Sequence, residues 1–379
     1  MFPLFQRPGE DAVIRPLTAP DWGALEQLIA TDPVTFLYAA EHLETFGLPQ
    51  RALPLTHRPA VGFMGIFESE PTVDTTVKAS PITSVQAKEQ LPLVVARAKQ
   101  AAGVFLGPIS AKRKSSAETL SYIEKRDSTP QGEVSPQREE RMVGAFWLGS
   151  NCVPLVVPER SRTQVANLIA KSSRTVASIF GASSDVLPLW ELVQHRMGKP
   201  LSVRENQPLL YLGPERSLNT TLTDSLYRPQ LPAPQIVSAG TRWARHSDRR
   251  SLLKASVAMF TEEVGYDPLT RDPAGYARRV DEFIRAGRSV VATNTDGVVV
   301  FKTDLGLTHA DSCQIQGVWL HPAYRGFGLS EPLLAQAFQL IRPRYPHISL
   351  YVNDYNVRAR KLYEALGMEQ INTFSTILF

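Results

Sequence analysis

Apolar and polar positions in this chain of 379 residues are most regular near its C-terminal end. The apolar run Gln314-Ile315-Gln316-Gly317-Val318-Trp319-Leu320 is closed by His321-Pro322, and from 331 to 341 Leu333, Leu334, Ala337, Leu340 and Ile341 recur at helical spacing. Between them lies Arg325-Gly326-Phe327-Gly328-Leu329-Ser330. Strand, basic glycine loop, helix is an order suited to an anion. Glycines turn the chain sharply and bring backbone N–H groups close to a phosphate, and the unpaired donors of the first helical turn add positive potential. Arg325 adds a fixed charge. The spacing fits neither G-x-G-x-x-G nor G-x-x-x-x-G-K-[ST].

The rest of the chain divides by the same criteria. Residues 12–17 predict a short strand, followed by Asp21 as a helix N-cap with Leu25, Leu28 and Ile29 on one face. A second helix is expected over 34–46, ended by Gly47. Strands are expected at 61–67, 142–148 and 152–157, a helix over 160–169, a strand at 175–180, a helix over 184–197 and a strand at 207–212. Gly181-Ala182-Ser183-Ser184 is read as a structural turn. Polar residues dominate 68–141, and 111–141 has too little apolar surface to offset the entropy of ordering, which predicts a disordered insertion. Within it, 91–106 is apolar enough to dock as a helix or strand. Residues 213–234, with Pro214, Pro229, Pro232 and Pro234, read as a linker. Beyond it come a strand from Gln235, a helix over 251–264 with Leu253, Val257, Phe260 and Val264 on one face, and a helix over 276–286. A hairpin of 289–293 and 297–302 around Asn294-Thr295-Asp296-Gly297 follows.

Arg325-Gly326-Phe327-Gly328-Leu329-Ser330 resembles the pyrophosphate motif R/Q-x-x-G-x-G/A of the GNAT acetyltransferase superfamily, with Arg325, Gly328 and Ser330 at its signature positions. Ser330 replaces the commoner glycine or alanine. Downstream, Ser349-Leu350-Tyr351-Val352-Asn353-Asp354-Tyr355-Asn356, then Ala359, Leu362, Tyr363, Glu364 and Gly367, resembles that family's fifth strand and fourth helix. The whole chain, including residues 260–265 and 373–379, resembles tandem-domain actinobacterial GNAT proteins whose first half is a domain of unknown function, and the layout is similar to that of mycothiol synthase. The resemblance implies an α+β protein of tandem GNAT folds, with a mixed central sheet flanked by helices. It implies a degenerate N-terminal copy over 1–212, because Pro158-Glu159-Arg160-Ser161-Arg162 stands where the loop belongs and has no glycine. The linker then covers 213–234 and the acetyltransferase domain 235–379.

By the same resemblance the fourth strand bulges away from the fifth, and acetyl-CoA lies in the gap. Val318, Trp319 and Leu320 would then border the pantetheine arm, and Arg325, Gly326, Phe327, Gly328, Leu329 and Ser330 the pyrophosphate. Asn356, and less clearly Asn353, would bond the arm, although asparagines here also stabilise turns. Tyr363 matches the general acid, its alternative being a core residue on the inward face with Ala359, Leu362 and Leu366. The strand glutamate that serves relatives as base is replaced by Gln314, Gln316 and Tyr351. Glu263, Glu262 or His321 could substitute, each also readable as an ordinary helix or strand end, and a water relay needs no base. The Val318 N–H would meet the oxyanion.

Composition narrows the partners. With 43% apolar and 21% charged residues and no run of about 18 apolar residues, the sequence reads as a soluble globular protein with no membrane partner. The first residues lack a secretory pattern, so a cytoplasmic location is expected. A net charge of +4 without a basic tail fits nucleic acid poorly. Cys152 and Cys313 form no C-x-x-C pair, so neither a disulfide scaffold nor a structural metal site is expected. Neither lies near the motifs, so the resemblance implies direct attack by a small-molecule or peptide amine in a ternary complex. Its rivals are a non-catalytic acyl-CoA-binding or regulatory protein, and a first half that only docks other proteins.

Overall fold

In the computed structural model the described residues are 12–51, 61–69, 140–216, 218 and 240–379. Most of the insertion expected at 68–141, including 91–106, most of the 213–234 linker and the strand expected at Gln235 lie outside them.

The first half runs β1 (Val13–Pro16), α1 (Trp22–Ala30), α2 (Leu37–Phe46), β2 (Gly62–Ser69), β3 (Glu140–Leu148), β4 (Asn151–Val156), α3 (Arg162–Lys171), β5 (Ser178–Ala182), α4 (Ser183–Val193) and β6 (Ser202–Leu212). The second half repeats that series as β7 (Arg242–Trp243), α5 (Arg249–Val264), α6 (Pro273–Arg285), β8 (Ser289–Thr293), β9 (Val299–His309), β10 (Ser312–Leu320), α7 (Ser330–Ile341), β11 (His347–Tyr351), α8 (Val357–Ala365) and β12 (Glu369–Leu378). Glu68 and Ser69, expected to begin the insertion, instead pair with Arg141 and Glu140 and complete β2 and β3.

All strands join one 12-stranded mixed sheet in the order β1-β2-β3-β4-β5-β12-β6-β11-β10-β9-β8-β7. That order is unchanged when the ends are exchanged and the two series are interchanged. Its centre holds a swap. β6 of the first half pairs with β11, from Leu212 opposite Ile348 to Leu209 opposite Tyr351, while β12 pairs with β5, from Ala182 opposite Phe374 to Ser178 opposite Leu378. Residues 242–379 therefore contain a series of six strands, β7 to β12, in sequence but do not complete their own sheet in space. Leu210, Leu212 and Leu218, the last within the expected linker, are buried in the core shared by β10, β11, α7 and α8. Ile377 of β12 is likewise buried in the first half's core, with Phe146, Ile179 and Leu189.

The two halves also open on the same device. Arg15 makes two bonds to Asp21, of 2.9 and 2.8 Å, and Asp21 accepts the Thr18 N–H at 2.8 Å. Arg242 makes two to Asp248, of 2.6 and 2.8 Å, and Asp248 accepts the Arg245 N–H at 2.7 Å. Bidentate arginine–carboxylate pairing fixes the entry of each first helix, and the arginine holds the Asp248 carboxyl below its ordinary pKa. Asp21 thus does not cap α1, as its position suggested, but anchors the turn before it.

In α5 the buried line is Leu252, Ala255, Ser256 and Met259, one step round from the expected Leu253, Val257, Phe260 and Val264. Small Ala255 and Ser256 let the helix approach Val291, Val299 and Trp319, and Gly265 ends it with φ +88°. Cys152 and Cys313 are buried and free, and burial pushes both thiols up to about 12. Among the described residues no helix is long and apolar enough to cross a membrane.

Burying three leucines contributes about 5–9 kcal/mol, as much as the net stability of many domains. Expressed alone, residues 235–379 should therefore give no cooperative thermal transition as a monomer, and co-expression with residues 1–218 should restore one. A monomeric fragment melting near the full chain's temperature would contradict the swap.

Candidate functional site

β10 and β11 run parallel but pair only where Ser312, Cys313 and Gln314 face His347, Ile348 and Ser349. Beyond that point β10 continues to Leu320 alongside β9 alone, so the two strands part. The cause lies in β10 itself. Its register with β9 shifts between Gln316 and Trp319, and Gly317 at the shift has φ +60°. The bulge is pinned from beneath by the fully buried Lys302, whose Nζ donates to the Gly317 carbonyl at 3.3 Å and to Asp304 at 2.6 Å. A Cβ at 317 would lie 3.0 Å from that nitrogen and 3.1 Å from Met259 Sδ. The His321 N–H bonds Val300 on β9. Strand alternation then turns the N–H groups of Leu320 and Val318 the other way, into the wedge.

The wedge opens onto the loop. After a 3-10 turn at Pro322–Tyr324, Gly326 and Gly328 adopt φ +85° and +71°, and α7 begins at Ser330. The helix's first bond is from Leu333 to the Leu329 carbonyl. Among the described residues no acceptor takes the N–H groups of Gly326, Phe327, Gly328, Leu329, Ser330 or Glu331. Consecutive orphan donors at a helix N-terminus fit a diphosphate. Leu329 is buried and Phe327 packs on the same core, which holds the loop down.

Arg325 is committed differently from expectation. Its Nε donates to the Leu320 carbonyl at 2.9 Å and its Nη2 to Glu262 at 2.7 Å, while Glu262 also accepts Trp319 Nε1 at 3.2 Å. The guanidinium therefore buttresses the loop against α5, with its charge partly answered. Trp319 is buried beneath α5 and offers a ligand only its backbone.

The asparagines are also engaged. Asn353 Oδ1 accepts from Gln207 at 2.9 Å, and Gln207 accepts from Thr376 at 2.6 Å, which ties the end of β11 to β6 and β12. Asn356 Oδ1 accepts the Ala359 N–H at 3.2 Å and caps α8, the turn-stabilising alternative. Its amide hydrogens are what it has left to offer a ligand.

Tyr363 faces inward on α8 with Leu366, as expected, and is 7% exposed. Burial raises its pKa, and the negative charge of Glu263 raises it further, so the phenol keeps its proton. Desolvation raises Glu263 too, against the opposing pull of Lys302 and Arg204. Yet Glu263 is solvent-exposed. It follows Glu262, whose bonds to Trp319 and Arg325 place this end of α5 beside the open end of the wedge. Its field reaches Tyr351 as well as Tyr363. Of the three substitute bases, Glu262 is held by Arg325 and Trp319, and His321 Nδ1 accepts the Ala323 N–H. Glu263 has no hydrogen bond or ion pair among the described residues.

Sequence reasoning missed Lys302, Gln207 and Arg204. A lysine amid Val299, Val300 and Phe301, with Asp304 two residues on, was a readable signal of a buried pair. Gln207 and Arg204 carried none, because their significance comes from the strand swap.

The equivalent place in the first half is closed. β4 and β5 pair only at Asn151–Ser178 and Cys152–Ile179, but Tyr38, Val153 and Phe180 fill the opening with Leu307 from β9. A Cβ at Gly181 would lie 3.3 Å from the Pro154 carbonyl. The cavity left there, bordered by Pro154 and Gln314, is about 10 Å³, no more than one water.

Residues 257–368 match the model of the acetyltransferase (GNAT) family, and residues 132–225 that of a domain of unknown function (DUF4081). The match to the acetyltransferase (GNAT) family thus falls within the second half, over the wedge, the glycine loop and α8. Among solved structures, a GCN5-related N-acetyltransferase from Sphaerobacter thermophilus is 15% identical, covering 97% of this chain and 95% of its own, with TM-score 0.45. A tandem GNAT protein from the clavulanic acid biosynthesis pathway, without AcCoA, is 15% identical over 62% of this chain and 79% of that one, with TM-score 0.40. A GNAT-family acetyltransferase from Colwellia psychrerythraea is 12% identical over 63% and 81%, with TM-score 0.39. No curated protein matches the chain significantly.

Lys302→Met would leave the partly buried Asp304 carboxylate without its cation and should cost about 3 kcal/mol in denaturant unfolding. Adding Asp304→Asn should return part of that loss. Equal stability of Lys302→Met and the parent would show that the ammonium does not pin the bulge.

Proposed function

We propose that the protein is a cytoplasmic N-acetyltransferase that passes an acetyl group from acetyl-CoA to a primary amine by direct attack in a ternary complex. One observation carries this reading: β10 and β11 separate beyond Gln314 and Ser349, and the free edge of β10 leads into six consecutive N–H groups, 326–331, that no described residue accepts. The repeated element order, swapped strands and paired Arg–Asp anchors support two copies of one fold, as in mycothiol synthase. The filled counterpart between β4 and β5 supports one working cofactor site.

Acetyl-CoA, when bound, supplies an activated thioester. The N–H groups of 326–331 hold the diphosphate, and the inward edge of Val318 and Leu320 aligns the arm as an added strand would. The Val318 N–H stands ready for the oxygen that gains charge. Glu263 takes the proton the acceptor nitrogen must lose, and its raised pKa brings it nearer the pH at which it works. Tyr363 keeps a proton to give the departing sulfur. Residues of both halves wall the acceptor cleft.

Coenzyme A should give a saturable calorimetric signal, and Gly328→Val, strained at φ +71°, should weaken it at least tenfold. No heat with the parent would sink the reading. Tyr363→Phe should lower kcat about 100-fold with the coenzyme A affinity kept. Retained turnover would return Tyr363 to the core. Binding without thiol release on any amine would instead support an acyl-CoA-binding protein.

Only an ionised carboxylate accepts the proton, so kcat/KM should rise with pH along a limb centred above the ordinary glutamate value of about 4.3. Glu263→Gln should abolish that limb and cost about 100-fold. An unchanged limb in this variant would mean that another group is the base.

A further inference from the structure

Arg204 is a half-buried guanidinium with no hydrogen bond or ion pair to a described residue. It projects from β6, opposite Thr376 of β12, close to where the exit of β11 leaves that strand: the Val352 N–H bonds Pro208 and the Asp354 N–H bonds Asn206. Three residues on, Gln207 fastens Asn353 in that exit, which leads to α8 and Tyr363. Glu263 follows Glu262, which bonds Trp319 at the end of β10 and Arg325 in the loop beyond it, so Arg204 and Glu263 stand at the open end of the same wedge but come from different halves of the chain. Arg204 and Glu263 lie in each other's field, and Tyr351 feels both, yet they do not touch.

Two opposite charges set at the open end of one wedge, without direct partners among the described residues, suit a ligand that bridges them. The ligand that does so bears both charges itself. We infer that the acceptor is an amine carrying a carboxylate, its nitrogen set toward Glu263 and Tyr363 and its carboxylate on the Arg204 fork. A guanidinium presents two parallel donors that match a planar carboxylate. A single arginine neutralises one negative charge, which suits a carboxylate better than a phosphate dianion with Glu263 close by. A zwitterion also leaves the filled cleft neutral.

This inference rests on the proposed acetyl transfer. The ammonium first gives one proton to Glu263 and attacks as the neutral amine; the nitrogen–carbon bond forms as the carbon–sulfur bond breaks, the thiolate takes the Tyr363 proton, the second nitrogen proton restores the phenol through water, and Glu263 returns its proton to solvent. Arg204 acts on which amine enters, as a specificity determinant.

The test is thiol release from acetyl-CoA with matched acceptors: glycine, β-alanine and γ-aminobutyrate, their carboxamides, and aminoalkyl phosphates of the same lengths. The parent should favour at least one carboxylate over its carboxamide by 10- to 100-fold in kcat/KM. Arg204→Met should collapse that ratio with the coenzyme A affinity kept, and Arg204→Lys should retain part of it. The inference is overturned by equal use of carboxylates and carboxamides, by preference for the phosphates, by a ratio that survives Arg204→Met in a folded protein, or by a matching loss of coenzyme A binding. No turnover of any amine by the parent overturns the acetyltransferase reading itself, and this one with it.

Discussion

The swap of β6 and β12 at the centre of the sheet is the constraint on which the rest depends. A parallel pair such as β10 and β11 would normally zip along its length, because each unpaired backbone group costs free energy once water is excluded. β11 is held in place on its far edge, where β6 pairs with it from Leu212 to Leu209 and continues along its exit to Asn206. β10 escapes through the bulge at Gly317, which Lys302 holds from beneath. The opening is thus stabilised from both sides, by a strand of the other half and by a buried ammonium.

Charge is handled in two ways around this opening. Lys302 is sealed and answered by Asp304 and the Gly317 carbonyl, and Arg325 is answered by Glu262, so both act as struts. Glu263 and Arg204 stand at the open end of the wedge without direct partners among the described residues. A carboxylate pushed upward by desolvation and a phenol that keeps its proton under the same field form the combination that moves a proton in one direction between two ligands. Among the described residues the glycine loop has no free cation of its own, since Arg325 is held by Glu262 and the Leu320 carbonyl. Its positive potential comes from backbone donors, which a rigid glycine loop and the anchored Leu329 hold in place.

What the sequence disclosed was local. The glycine loop, the helix after it and the inward face of Tyr363 are set by neighbours within a few residues, so spacing alone located them. What it concealed was pairing over long separations. An alternating strand such as 373–379 reads the same whichever neighbour it joins, so β12 passed for the last strand of its own half. Asp21 before a helix looks like a cap until Arg15, six residues earlier, is seen to hold it. The stripe on α5 was drawn through its largest apolar residues, whereas close approach to the sheet favoured Ala255 and Ser256. Asn353 and Asn356 sit where the resemblance put them, but each carboxamide oxygen is taken by a structural bond.

The first half illustrates how one copy of a fold can lose a site and still serve another. Its own opening between β4 and β5 is occupied by Tyr38, Val153 and Phe180, and Leu307 from the second half completes the filling. Filling turns a potential ligand surface into part of the interface between halves, which α2 reinforces through Glu41 with Arg288 and Glu44 with His309. That interface holds β6 in register, and the register brings Gln207 to Asn353 and Arg204 to the cleft of Glu263. Closing one site and shaping the other are therefore parts of one packing arrangement: loosening the aromatic plug would disturb the wall of the cleft on the far side of the sheet's centre.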